Sequence, residues 1–302
     1  MLAVHTRREL LIHAGLFLAC CVTTWWAAEI NAAGSGVYFA GTLMGILAFH
    51  EAGHYVTSRY HKVEVSLPYF IPLPPVVSLG TLGAVIKMDK PISDRNQLFD
   101  VGASGPIAGL LLAIPLLVIG LTLSELGPPT PEGAIEGNSI LYALLKYAVF
   151  GQWLPGENID VQMHPMAFAG WVGLLITQIN LMPIGQLDGG HVARAALGDR
   201  HEKLSERLHV VLPIIGLTAG GVMFAIARDA GKDITDALSY AKFGVIPWFT
   251  WTLLIALMRR QAGEYHPPVG GDPLDPGRRR RAIGMLIVFC LIATPVPFRP
   301  VL

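Results

Sequence analysis

Residues 37–54, VYFAGTLMGILAFHEAGH, combine a long apolar run with the pattern His-Glu-x-x-His at its end. On an α-helix, His50 and His54 lie one turn apart and project from the same face, so both imidazoles can bind one metal ion. Glu51 lies between them and can act on a water molecule at that metal. Ionisable groups at membrane depth are costly and usually carry function. The stretch therefore predicts a zinc hydrolase site on a helix within a bilayer.

The composition is that of a membrane protein. Of the 302 residues, 52% are hydrophobic and 15% are charged, with a mean hydropathy of +0.50, whereas a soluble chain carries about 25% charged residues. We predict an all-α polytopic membrane protein with about six to seven transmembrane helices. It forms a single integral membrane domain over residues 1–302, with a core at 36–200 and additional spans at 208–296.

Seven apolar stretches can cross a hydrocarbon core of about 30 Å, which takes about 20 residues. They are residues 9–28, 37–57, 101–123, 165–182, 208–227, 241–258 and 282–296. The segment 139–153 holds one lysine, and three placements stay open for it. It either crosses the membrane or lies flat on it or beside the helix bundle.

Basic residues divide unequally between the two sides that alternating spans define. One side has 17 of the 22 lysines and arginines. They are Arg7, Arg8, Arg59, Lys62, Lys87, Lys90, Arg95, Arg194, Arg200, Lys203, Arg207, Arg259, Arg260 and residues 278–281. The positive-inside rule makes the amino terminus and the Glu51 end of the second span cytoplasmic. The basic run 278–281 is then a topological anchor, and no nucleic-acid partner is expected.

The first apolar run follows basic residues and lacks an obvious small-residue cleavage site, so we expect an uncleaved signal anchor. No organelle transit peptide is expected before it. A bacterial plasma (inner) membrane is the simplest predicted location, with the protein crossing it several times.

Asp188 is the best candidate for a third metal ligand. It follows the fourth long span, which ends on the same predicted side as His54. Pro183 ends that helix, and Gly189 and Gly190 are expected to allow a tight turn at the aspartate. Two imidazoles, one carboxylate and an open position for water form a catalytic zinc site.

Alternatives stay open for two residues near this segment. His191 can be a metal ligand itself, or it can support the site from beyond the double glycine. Asn180 can donate a hydrogen bond to a developing oxyanion, or it can join helices within the membrane. The glycine pairs Gly41/Gly45 and Gly105/Gly109 have the spacing of helix-packing motifs, and we interpret them as structural.

The segment 63–100 after the second span is not helical in pattern. Prolines crowd its start, and glycines interrupt the apolar piece 76–86. Such runs predict a membrane-associated β-hairpin or re-entrant region, although an interfacial loop is the alternative. As a hairpin, it offers an edge strand that can pair with an unwound substrate.

HEAGH at residues 50–54 and NLMPIGQLDG at residues 180–189 resemble the two motifs of the site-2 protease family of intramembrane zinc metalloproteases. SGPIAG at 104–109 is similar to a further segment of that family. The likeness spans about residues 36–281 and points to the branch without a PDZ insert, since the outer loop 124–164 has only about 40 residues.

The resemblance implies one Zn²⁺ per chain, bound by His50, His54 and Asp188, with Glu51 as the catalytic base. Asn180 would hold the substrate or the oxyanion. The implied function is that of an intramembrane zinc endopeptidase, which hydrolyses peptide bonds within or near transmembrane segments of membrane proteins in regulated intramembrane proteolysis. A catalytically silent zinc-binding membrane scaffold and an ion or metal transporter are the alternatives. The intact Glu51 argues against the scaffold, and the lack of an inverted repeat argues against the transporter.

Overall fold

The structure is a computed structural model that describes residues 6–31, 34–76, 78–88, 92–129 and 134–300. Val77 of the predicted apolar piece and Lys90 of the basic set lie outside the described residues. The described part contains nine α-helices, which are α1 (Arg7–Asn31), α2 (Gly36–Tyr60), α3 (Arg95–Thr122), α4 (Ile140–Phe150), α5 (Pro165–Asn180), α6 (Asp188–Leu197), α7 (Arg200–Asp229), α8 (Ile234–Ala262) and α9 (Pro276–Ile292). Its short strands are β1 (Tyr69–Pro72), β2 (Thr81–Val85), β3 (Glu125–Gly127), β4 (Ala134–Glu136), β5 (Asp160–Gln162) and β6 (Phe298–Pro300).

A helix covers most of each of the seven predicted spans, so the all-α polytopic fold class is confirmed. Four of the described helices, α1, α3, α7 and α8, are long and apolar enough to cross a membrane. Helices α5 and α9 have 16 and 17 residues, somewhat fewer than the about 20 that a perpendicular span needs. The 11 residues of α4 rise only about 16 Å. The segment 139–153 therefore does not span the membrane as a helix.

The described chain divides into two compact units. The first contains α1, α2, α3, α5 and the hairpin of β1 and β2. Its core lies where α2, α3 and α5 pack together, around the buried side chains of Leu43, Ile46 and Leu117. A Cβ atom on Gly170 of α5 would lie 2.8 Å from the Cα of Leu117. Only glycine permits this close crossing of α3 and α5.

Strands β1 and β2 pair in antiparallel fashion with one shift in register, which confirms the predicted hairpin. Helix α1 holds the hairpin at two places. His13 Nδ1 lies 2.9 Å from the carbonyl oxygen of Pro68, and the Thr23 hydroxyl donates to the carbonyl of Gly80 over 2.6 Å. Gly80 has a φ of +87°, and a side chain there would overlap the backbone of Thr23. The turn of the hairpin therefore requires glycine for both conformation and space.

The second unit contains α4, α6, α7, α8 and α9 together with the paired strands β4 and β6. Helices α7 and α8 pack so closely that a Cβ atom on Gly244 would overlap the backbone at Gly220. Strand β4 pairs antiparallel to β6, with Ile135 opposite Arg299. This pairing joins the loop before α4 to the segment after α9.

A group of ionisable side chains is buried in the second unit, and we call it the Lys146 cluster: Glu136, Tyr142, Lys146 and Asp160. Lys146 is fully buried, and its Nζ lies 3.8 Å from Glu136 Oε1 and 3.6 Å from Asp160 Oδ1. The Tyr142 hydroxyl donates to Glu136 over 2.8 Å. Burial raises the pKa of Glu136 and lowers the pKa of Lys146, in each case against the attraction of the opposite charge. Both shifts have the direction that desolvation dictates.

Candidate active site

The two histidines of the HEAGH motif converge on α2. His50 is 4% exposed, and its Nε2 lies 3.1 Å from Nε2 of His54. His54 Nδ1 lies 2.8 Å from the carbonyl oxygen of Val101, which can only accept, so Nδ1 carries the proton and Nε2 keeps its lone pair. Glu51, next in the chain to His50, is 7% exposed. The hydrogen bond to Val101 thus orients the His54 ring so that Nε2 faces His50, and in the neutral ring this nitrogen has the lone pair that a metal needs.

Small residues on both helices make room for these rings. A Cβ on Gly53 would lie 2.5 Å from a backbone carbonyl of α3. A Cβ on Gly105 would overlap the ring of His54, and one on Gly109 would lie 3.2 Å from Nδ1 of His50. Helices α2 and α3 can therefore approach closely while both imidazoles fit between them.

The two glycine pairs with helix-packing spacing differ in what lies against them. A Cβ on Gly41 would meet nothing within 4 Å, and one on Gly45 would make an ordinary contact at 3.9 Å. Gly105 and Gly109 instead form the cradle of the histidines. This pair therefore has the packing role that its spacing indicates, and it also makes room for the histidine rings, which spacing on one helix does not show.

Asn180 is the last residue of α5, and its Nδ2 lies 3.4 Å from Nε2 of His50. The pattern placed it near the helix end that precedes the aspartate, and the structure brings it to the histidine pair. A side-chain amide at this place can donate a hydrogen bond to a group bound beside His50.

Asp188 is the first residue of α6, which runs on through Gly189 and Gly190. The predicted tight turn at the two glycines was therefore wrong. Neither has a positive φ, whereas Gly185 has a φ of +63°. A Cβ on Gly189 would overlap the carbonyl of Leu181, so the glycines allow the first turn of α6 to pack against the preceding loop. Sequence alone does not separate these two uses of glycine.

One ligand atom from each of His50, His54 and Asp188 lies within 4.8 Å of the other two. Two nitrogens bound to one tetrahedral zinc ion lie about 3.3 Å apart, since each Zn–N bond is about 2.0–2.1 Å. The 3.1 Å between the histidine nitrogens is close to that separation. The donor set, two imidazoles and a carboxylate, suits zinc, and the glycine cradle leaves the rings the space that they need. The residues present therefore fit the metal.

Fold and site together define a class: a helical membrane protein with a candidate metal centre, whose donors come from a His-Glu-x-x-His helix and a distant aspartate. The sequence profile of peptidase family M50 matches residues 38–219. The chain belongs to this family, and the resemblance seen in its motifs is confirmed.

Curated relatives extend the match beyond these residues. The chain is 34% identical over 264 residues to the probable zinc metalloprotease EGY1, chloroplastic, of Oryza sativa subsp. japonica, with 84% of this chain and 39% of that protein covered. It is 35% identical over 162 residues to the Arabidopsis thaliana protein of the same name, covering 52% and 29% of the two chains. The probable zinc metalloprotease EGY2, chloroplastic, of Oryza sativa subsp. indica is 28% identical over 271 residues, covering 87% and 43%. The chain thus spans less than half the length of each of these relatives.

Proposed function

We propose that this protein is a zinc endopeptidase that hydrolyses peptide bonds within or near transmembrane segments of other membrane proteins. The observation that carries the proposal is the convergence of His50, His54 and Asp188, whose ligand atoms lie within 4.8 Å of one another. Glu51, next to His50 in the chain, supplies a carboxylate on a helix whose preceding residues 37–49 carry no charge. The names of the curated relatives support the same reaction.

Each residue has a defined role in this proposal. His50, His54 and Asp188 hold one Zn²⁺, which when bound makes water more acidic and polarises the scissile carbonyl. Glu51 accepts the proton of the attacking water and returns it to the leaving amine. The Asn180 amide donates a hydrogen bond to the oxygen that gains charge at the scissile carbon.

Zinc content and cleavage, measured on the same purified protein, test the proposal. Glu51→Gln should keep about one zinc per chain and lose activity by at least about a hundredfold, because the proton acceptor is gone. His54→Ala should lose both zinc and activity. Glu64→Gln is the matched control, since this exposed glutamate lies just beyond α2, and it should change neither. A comparison of the proteomes of membranes that contain the wild-type or the Glu51→Gln protein would identify the substrate.

Robust cleavage by the Glu51→Gln protein would contradict the mechanism. A protein that holds zinc but cleaves no helix in such membranes would be a scaffold, and the proposal would fail.

The hairpin supports a proposal for how a helix becomes a substrate. A helical peptide bond is shielded, and unwinding it in lipid leaves backbone groups without partners. In the described residues β1 and β2 form a two-stranded sheet, and β2 presents the exposed side chains of Leu82 and Val85. Pairing of the unwound segment with this hairpin would replace the lost hydrogen bonds.

Strand pairing makes substrate helix strength matter. Substrates with Gly, Pro or Asn near the cut should be cleaved faster than uniform Leu helices. Leu82→Pro and Val85→Pro should impair cleavage and spare zinc binding, whereas the matched alanine variants should retain activity. Strand pairing would be ruled out if the cleavage rate changed neither with the stability of the substrate helix nor with these proline substitutions.

We also propose that the active-site end of α2 faces the cytoplasm of a bacterial plasma membrane. The basic-residue asymmetry supports this orientation. The pairing of β4 with β6 agrees with the count of seven spans, because that count puts both strands on one side of the membrane, but it does not favour either side. The curated relatives are named chloroplastic, so the corresponding face of a plastid membrane is the competing location.

Thiol labelling tests the orientation. With Cys20, Cys21 and Cys290 replaced, Glu157→Cys should react with an impermeant reagent in intact cells. Arg200→Cys should react only after lysis. The reverse result would invert the topology.

A further inference from the structure

Three further histidines meet in the second unit, outside the ligand set. They are His191 of α6, His201 of α7 and His266, which follows α8. His201 is fully buried and His266 is 4% exposed, although their spacing alone suggested only solvated or capping roles. The rings of His201 and His266 lie 5.8 Å apart between centroids, and His191 Nδ1 lies 2.7 Å from His266 Nε2.

The hydrogen bonds give this contact a direction. His266 Nδ1 lies 2.8 Å from the carbonyl oxygen of Pro267, which can only accept. His266 therefore carries its proton on Nδ1 and accepts at Nε2, so His191 donates from Nδ1. Burial lowers the pKa of His266, which favours the neutral ring and keeps this direction across neutral pH.

The contact lies on the metal-ligand helix. Asp188 and His191 are three residues apart in α6, and residues so spaced share a helix face. The helix has only 10 residues, and Leu187 at its N-cap provides no side-chain hydrogen bond. The contacts of Gly189 and Gly190 bring the first turn close to the preceding loop, but glycine has no side chain to resist rotation. The His191–His266 hydrogen bond supplies a fixed, directional contact on that turn.

We infer that His266 is a positioning residue for the metal centre, because through His191 it fixes the rotation of α6 that presents Asp188. This inference rests on the proposed function for the identity of the metal. It gives the segment after α8 a supporting role at the metal centre, although that segment lies outside both motifs, residues 50–54 and 180–189.

Two substitutions at one position separate the hydrogen bond from the space that the ring fills. His266→Phe removes the acceptor and keeps a ring, whereas His266→Gln keeps both an acceptor and a donor. In the full-length protein, His266→Phe should weaken zinc binding about tenfold, the cost typical of losing a supporting hydrogen bond at a metal site. His266→Gln should retain most of the affinity.

His209 provides the matched control in the same unit. Its two ring nitrogens contact the Tyr265 hydroxyl at 2.7 Å and the Thr252 carbonyl oxygen at 3.0 Å. His209→Phe removes a comparable pair of hydrogen bonds, but neither partner lies on α6. It should lower thermal stability without weakening zinc binding. Equal losses of zinc affinity in His209→Phe and His266→Phe would overturn the inference.

A double-mutant cycle and hydrogen exchange complete the test. In an Asp188→Asn background, His266→Phe should leave the residual zinc affinity unchanged, because the helix no longer presents a carboxylate. In the metal-free protein, His266→Phe should accelerate amide exchange in α6, and His266→Gln should not. Unchanged exchange in α6 would contradict the positioning role. This readout decides the inference even if the wild-type protein binds no zinc, a result that would refute the proposed function instead.

Discussion

Two groups of ionisable side chains that lie largely buried in the described part of the chain arise in different ways. His50, Glu51 and His54 come from one helix, at positions that share a face. The Lys146 cluster comes from β4, α4 and β5, with its acidic members 24 residues apart in sequence. The first group can be found by its spacing. The second has no pattern, and the sequence marked its lysine only as a charge in an ambiguous segment.

The difference concerns what keeps each group buried. The histidines need space that glycines on α3 provide, and a hydrogen bond to Val101 orients one of them. The Lys146 cluster needs mutual neutralisation, because an isolated buried charge is costly. A site for a metal is therefore sensitive to shape, whereas an ion-pair cluster is sensitive to the removal of any one charge.

The largest expected effect is a loss of zinc binding at the histidine site, which depends on the space that the glycines leave. Gly105→Ala places a methyl group where the His54 ring lies, so the ring must move and zinc binding should be lost together with cleavage. Gly41→Ala is the control, since its Cβ would meet nothing within 4 Å. Zinc content by mass spectrometry measures the outcome. If Gly105→Ala bound zinc like the wild-type protein, the cradle would have no role.

The next effect is at the Lys146 cluster. Lys146→Met leaves two buried carboxylates without their cation, which should lower the free energy of unfolding by about 3–5 kcal/mol. Adding Glu136→Gln and Asp160→Asn should restore most of the loss, because no charge then remains buried. Pulse proteolysis in detergent measures the change. Lys203→Met, at an exposed lysine, should stay within about 0.5 kcal/mol of wild type. An equal effect at both lysines would show that burial is not the cause.

The smallest effect is a pH dependence in the same cluster. Because the pKa of Glu136 is raised from its usual 4.5, the folded state binds its proton more tightly than the unfolded state does. Its contribution to stability is complete below pH 4.5 and is lost as the pH rises through the folded-state pKa. Each unit of upward shift corresponds to about 1.4 kcal/mol.

Acidification from neutral pH should therefore protect the amides of β4 and α4 from hydrogen exchange, after correction for the intrinsic rate. Glu136→Gln should abolish that gain. Lys146 does not account for it, since its lowered pKa adds stability only as the pH rises. Identical pH profiles in the two proteins would assign the effect to another group.

Much of the fold follows from local pattern. Apolar runs predicted a helix at each of the seven spans, and proline and glycine spacing predicted the hairpin. The His-Glu-x-x-His spacing and the later Asp188 predicted residues that the structure brings within ligand distance of one another. These successes share a cause, because helix periodicity and backbone restriction act over a few residues.

The chain by itself thus determined its helices, its family and the residue types of a candidate metal centre. Tertiary structure decided that Gly105 and Gly109 shape that centre, that Gly189 lies inside a helix, and that His266 reaches His191. It also decided that Lys146 is buried between two acids. Each of these depends on which side chain meets which across separate elements. Only packing sets such contacts, because the helix and strand periods that a sequence encodes describe one element at a time.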